Sequence, residues 1–133
     1  MIQKPTAAFT FAGWTAILVG VIGYLVGLWN AELLLSEKGY YFTVLMFGLY
    51  GAVSVQKCVR DSMEGIPVSS LYYGISWFAL IVSISLMVIG LYNAGSITLS
   101  EKGFYGMTFV LSLFAVVTIQ KNIRDTQRAR ERD

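Results

Sequence analysis

The chain has 133 residues, 56% of them hydrophobic and only 14% charged, with a formal net charge of +2. A soluble domain carries about 25% charged residues, so this composition argues against a water-exposed surface, and it equally disfavours disorder or a nucleic-acid-binding tail. With no histidine and one cysteine, a His-bearing metal site, a Cys/His pair and an internal disulfide are excluded.

Four stretches lack Asp, Glu, Lys and Arg: Pro5 to Ala31, Gly39 to Gln56, Gly65 to Ser100 and Gly103 to Gln120. A helix needs roughly 20 apolar residues to cross the hydrocarbon, within about 17 to 25. The first stretch has its apolar heart between Ala12 and Trp29, and the third between Tyr72 and Tyr92. Neither has the polar stripe that a soluble amphipathic helix requires. The second and fourth stretches sit near the lower limit and reach about 27 Å as helices. The first run is too long for a signal-peptide core and ends in Leu28-Trp29-Asn30 rather than in a cleavage site, so it reads as an uncleaved span. Trp29, Tyr40, Tyr41, Tyr72, Tyr73, Tyr92 and Tyr105 fall near span ends, where amphipathic rings favour the headgroup layer.

Lys and Arg are unevenly shared between the connections. Eight lie in the N-terminal arm, the middle connection and the C-terminal tail, against Lys38 and Lys102 in the other two connections. This bias predicts both termini in the cytoplasm. The arginine-rich tail, interleaved with acids and free of aromatic residues, suits anionic lipid headgroups rather than nucleic acid.

The chain also repeats itself. A shift of 63 residues lays Trp14 over Trp77, Gly20 over Ser83, Gly27 over Gly90 and Asn30-Ala31 over Asn93-Ala94. One residue more aligns Ser36-Glu37-Lys38-Gly39 with Ser100-Glu101-Lys102-Gly103, and Gln56-Lys57-x-x-Arg60-Asp61 with Gln120-Lys121-x-x-Arg124-Asp125. Each copy, about 5–64 and about 67–128, is then a hairpin of two spans. Because an even number of spans separates them, the copies are parallel repeats. The predicted fold is all-α: one membrane domain over 1–133, a four-helix bundle built from two tandem transmembrane helical hairpins.

The paired pattern G-L-[WY]-N-A, L-S-E-K-G-[YF]-Y and Q-K-x-x-R-D resembles the two-helix repeat of the bacterial YiaA/YiaB inner-membrane family. With two full copies the chain is nearer the YiaA branch. The resemblance spans nearly the whole chain and implies a four-span inner-membrane protein. It implies no activity, catalytic residue or cofactor.

Three residue sets stand out. Gly13, Gly20 and Gly27, mirrored by Ser76, Ser83 and Gly90, recur at heptad spacing and predict close helix packing, with Gly23 adding a G-x-x-x-G step to Gly27. The external turns carry Asn30, Glu37, Lys38, Asn93, Glu101 and Lys102. There the Asn is expected to end a helix in the left-handed conformation, Ser36 or Ser100 to cap the next one, and Gly39 and Gly103 to let helices approach. A charged mouth to a pathway is the functional alternative. The cytoplasmic face carries Gln56, Lys57, Arg60, Asp61, Gln120, Lys121, Arg124 and Asp125. Lys57 and Asp61, like Lys121 and Asp125, have the i, i+4 spacing of a helical ion pair. Cys58 reads as a small apolar residue. No Asp, Glu, Lys or Arg falls inside a predicted span, which disfavours a proton-coupled exporter, and the inventory for intramembrane catalysis is missing. The expected role is non-enzymatic: a homo-oligomer or an accessory subunit acting through helix packing. A small channel or facilitator, weakly lined by Ser54, Ser83, Ser85, Ser112 and Thr118, is the alternative.

Overall fold

A computed structural model describes residues 4–132, without the Arg132 side chain, so that arginine's part in the charge bias lies outside the described residues. Four helices follow one another: α1 (Ala7–Asn30), α2 (Leu35–Met63), α3 (Ser70–Asn93) and α4 (Leu99–Arg132). All four are long and apolar enough to cross a membrane. Large apolar side chains point outward along their length, among them Leu18, Ile22, Phe78, Ile81 and Phe114. In water that surface would be costly; in hydrocarbon it is the ordinary outer face of a bundle.

Local chemistry sets the helix ends. Thr6 Oγ1 accepts from the Phe9 N–H, and Ser69 Oγ from the Tyr72 N–H, each at 3.1 Å. α4 opens with a reciprocal capping box: Thr98 Oγ1 accepts from the Glu101 N–H at 3.1 Å, and Glu101 accepts from the Thr98 N–H at 2.9 Å. At α2, Glu37 accepts from the Leu34 N–H at 3.0 Å. The caps therefore precede the expected serines: Ser36 and Ser100 lie within the first turns. Asn30 and Asn93 do not turn left-handed either. Each stays helical and donates its side-chain amide to the carbonyl four residues back, Val26 at 2.8 Å and Ile89 at 2.9 Å. Gly65, with φ of 77°, makes the turn that releases α2.

α2 (29 residues) and α4 (34 residues) run about 44 and 51 Å, longer than the roughly 30 Å hydrocarbon. Their uncharged parts, Gly39–Gln56 and Gly103–Gln120, fill that thickness, and the charged ends project beyond it.

The packing departs from a pair of self-contained hairpins. α1 lies along α4 and α3 lies along α2, while α2 and α4 meet at the centre; the two helices of each repeat barely touch. The repeats have thus exchanged partners. The helices follow one another in space as α1, α4, α2, α3, with α2–α4 the central contact and two seams, α1–α4 and α2–α3, each joining one helix from each copy.

Candidate functional site

The seams account for most of the predicted packing residues. On α1, a Cβ at Gly20 would lie 2.6 Å from Ser112 Oγ, one at Gly27 2.9 Å from the Phe104 ring, and one at Gly13 3.3 Å from Thr118. Gly23 is looser, at 3.7 Å from Phe104. On α3, Ser76 and Ser83 are buried, and a Cβ at Gly90 would meet Tyr40 at 2.7 Å. Two further glycines belong to this set. A Cβ at Gly51 would sit 2.8 Å from the backbone nitrogen of Leu80, and one at Gly48 would sit 2.9 Å from the Phe109 ring. The self-comparison passed over both because the other copy has Ala115 and Ser112 at those places. Gly39 and Gly103, expected to bring helices together, have nothing within 4 Å of a built Cβ; that surface is open.

Three of the tyrosines expected in the headgroup layer instead belong to the protein interior. Tyr41 and Tyr105 are buried, and Tyr40 is half-buried with its hydroxyl donating to the Leu86 carbonyl. The Tyr24 hydroxyl donates to the Tyr41 carbonyl at 2.7 Å, and that of Tyr105 to the Gly27 carbonyl at 2.9 Å. These bonds tie α1 to α2 and α4 and satisfy phenols that could not lie unpartnered in a dry core. Trp29 and Tyr92 do face outward. Of the charges in the turns expected to be external, Lys38 reaches back to the Trp29 carbonyl at 2.8 Å and lies 5.7 Å from that indole ring. Glu37 and Glu101 serve as caps, and Lys102 is half-buried beside Glu101 in the first turn of α4. Among the serines weighed as a polar lining, Ser54, Ser83 and Ser112 are packed inside, while Ser85 is exposed. Thr118 lies in the α1–α4 seam against Gly13.

The charged ends of α2 and α4 form the densest polar cluster. Within each helix the i, i+4 pairs close, Lys57–Asp61 and Lys121–Asp125, both at 2.7 Å. Across the bundle the arginines exchange partners: Arg60 reaches Asp125 and Arg124 reaches Asp61, each at 2.7 Å. This crossed pair places both copies of the Q-K-x-x-R-D signature on one pseudo-twofold axis. Glu64 bridges the two arginines, 3.1 Å from Arg60 and 2.9 Å from Arg124. Sequence reading missed Glu64, since the equivalent residue in the second copy is Arg128; its i, i+4 spacing from Arg60 was the available signal. Gln56 and Gln120 stand one turn inside the cluster and are half-buried.

Burial would raise the Asp125 and Glu64 carboxyls, but hydrogen bonds outweigh it and hold both below the usual carboxylate range. They come from Lys121 and Arg60 for Asp125, and from Arg124 and Arg60 for Glu64. Asp61 is lowered as well, first by Lys57 and then by Arg124. The cluster is a clasp: three ionised carboxylates held by four cations where the helices leave the bilayer. Among the described residues no group of His, Cys, Asp and Glu could hold a metal ion.

The YiaAB model, described as the yiaA/B two helix domain, matches residues 9–61 and again 72–125. The chain belongs to the YiaA/YiaB family. It is 55% identical over 124 residues to the inner membrane protein YiaA of Escherichia coli (strain K12), covering 93% of this chain and 85% of that one. The inner membrane protein YiaB of the same organism is 34% identical over 100 residues, covering 73% of this chain and 81% of YiaB. YubF of Bacillus subtilis (strain 168), named an uncharacterized membrane protein, is 40% identical over 63 residues, covering 47% of this chain and 72% of its own. No solved structure matches. The crossed clasp gives the family's twice-matched domain a physical meaning here, since one copy supplies each arginine and the other its aspartate.

Proposed function

We propose that this chain is a non-enzymatic protein of the bacterial inner membrane, with both termini and the clasp in the cytoplasm, that works through helix packing as a homo-oligomer or as an accessory subunit. The observation that carries the reading is what the partner exchange leaves unpaired. Between α3 and α4 runs an apolar groove of about 340 Å³, walled by Leu80, Ile84, Met87, Val110, Phe114 and others. Beside it on α4, Gly103 and Gly106 line a second shallow apolar face, and a Cβ at Gly103 would meet nothing within 4 Å. Open glycines on a transmembrane surface favour contact with another helix, because close backbone approach is what drives association in lipid.

The names of the relatives YiaA and YiaB support the inner membrane, and the Lys/Arg bias supports the orientation. A pore within one chain draws no support from serines that are packed against neighbouring helices. Native mass spectrometry of the full chain in mild detergent tests the reading. A dimer or higher species that is lost on Gly103→Leu supports it, whereas a strictly monomeric particle without a co-purifying protein overturns it. A reporter fused after Asp133 tests the orientation.

A further inference from the structure

Two cavities open at the clasp end, at equivalent places in the two seams. One, about 210 Å³, lies between α1 and α4 and is walled by Trp14, Ile119, Asn122, Thr126, Gln127 and Arg130, with Thr10 and Ile123. Its counterpart, about 380 Å³, lies between α2 and α3 beside Cys58, Ser62, Met63 and Tyr73. The repeat carries Cys58 onto Asn122 and Ser62 onto Thr126. The equivalence ends in the chemistry. Cys58 is a near-apolar residue with Ser76 Oγ 3.8 Å away. Asn122 is 4% exposed, and neither Nδ2 nor Oδ1 of its amide has a hydrogen-bond partner. An unpartnered buried polar group costs roughly 1–3 kcal/mol, so an asparagine is a poor choice for this place unless something else completes it.

The walls indicate what that is. Trp14, Ile119 and Ile123 lie where the uncharged stretch of α4 ends, at Gln120. Arg130 stands about 15 Å farther along the same helix. The cavity therefore straddles the boundary between hydrocarbon and headgroups, apolar on one side and cationic on the other. Among the described residues Arg130 makes no ion pair, in contrast to Lys121 and Arg124. We infer that the α1–α4 cavity binds one anionic phospholipid. Arg130 engages the phosphate from the outer side, Asn122, two turns deeper, supplies a donor and an acceptor to the glycerol ester region, and Trp14 and Ile119 flank the first acyl carbons. The α2–α3 cavity, without the amide or the arginine, does not bind one. This inference stands independently of oligomerisation.

The test uses the full chain in mild detergent, with native mass spectrometry after adding phosphatidylglycerol, phosphatidylcholine or inorganic phosphate. One phosphatidylglycerol per chain is expected to survive activation that strips phosphatidylcholine. N122C, which gives this cavity the residue of its counterpart, and R130A are each expected to lower the retained fraction about tenfold, the loss of a good hydrogen bond or charge contact. C58S is expected to leave it unchanged. T126V, at a half-buried wall position, is a second probe should N122C fail to fold, and melting temperatures report which variants are folded. Equal retention in folded N122C and R130A, or in T126V where N122C is lost, overturns the inference. So does the absence of any retained lipid, or displacement of the lipid by millimolar inorganic phosphate.

Discussion

The α1–α4 and α2–α3 seams come from the same repeated pattern yet close in different ways. In α1–α4 the space is made on the outer helix, by Gly13, Gly20 and Gly27, against larger residues of α4. In α2–α3 the closest approach of backbone is on the inner helix, where Gly51 admits the backbone of α3 at Leu80, and the outer helix contributes Ser76, Ser83 and Gly90. Duplication fixed where the helices meet, while the closest approaches settled on the outer helix in one seam and on the inner helix in the other. At the clasp, on the central α2–α4 contact, the two copies become equal again, since each arginine is paired with the other copy's aspartate.

The largest expected effect tests that equality. Arg60→Met and Arg124→Met should each cost about 2–3 kcal/mol in detergent unfolding titrations, below the roughly 3–5 kcal/mol of a fully buried pair because the side chains keep some solvent contact. If the two copies are equivalent, the losses match; a clear inequality would locate the asymmetry in how the two arginines share Glu64. The swap Arg60→Asp with Asp125→Arg should recover part of the loss.

Acid should take away part of the same stabilisation. Asp61, Glu64 and Asp125 have folded pKa values below their unfolded ones. Their contribution is therefore complete above about pH 5.5, where the unfolded carboxyls are fully ionised, and it is lost as pH drops through the lower folded values. Thermal melts between pH 3 and 6 should fall on the acid side, and less so in Glu64→Gln.

Gly51→Ala comes next. Its new methyl meets backbone rather than a mobile side chain, so a loss of about 1–3 kcal/mol is expected, larger than that of Gly20→Ala, whose methyl meets the Ser112 hydroxyl. Tyr24→Phe removes one buried hydrogen bond and should cost about 1 kcal/mol. Smallest of all, Gly39→Ala should be neutral or stabilising by less than about 1 kcal/mol, since the site is open and alanine is the better helix former. A large loss there would reveal a contact with another chain.

Four spans, a duplicated unit and the i, i+4 pairs Lys57–Asp61 and Lys121–Asp125 were legible in the sequence, because hydropathy over a helix length and the helical period are properties of the chain itself. The heptad glycines and serines were legible as contact residues for the same reason. Their partners were not. Nothing local tells Gly20 that it faces Ser112 of the other copy rather than α2 of its own, and a repeat makes the two choices look alike. The helix-end residues were misjudged at short range, where Glu37 and Glu101 bond back to the Leu34 and Thr98 N–H groups and start the helices ahead of the serines, and Asn30 finds a carbonyl within its own helix.

The sequence by itself determined the solvent, the number of spans and the family, since these follow from how much apolar surface each segment carries and from a pattern that recurs along one chain. The tertiary structure decided the exchange of partners between the repeats, the burial of Tyr41 and Tyr105, the recruitment of Glu64 and the isolation of the Asn122 amide. Each of these depends on which faces of separate helices come together, and that is settled by side-chain shape and charge meeting across a gap in three dimensions.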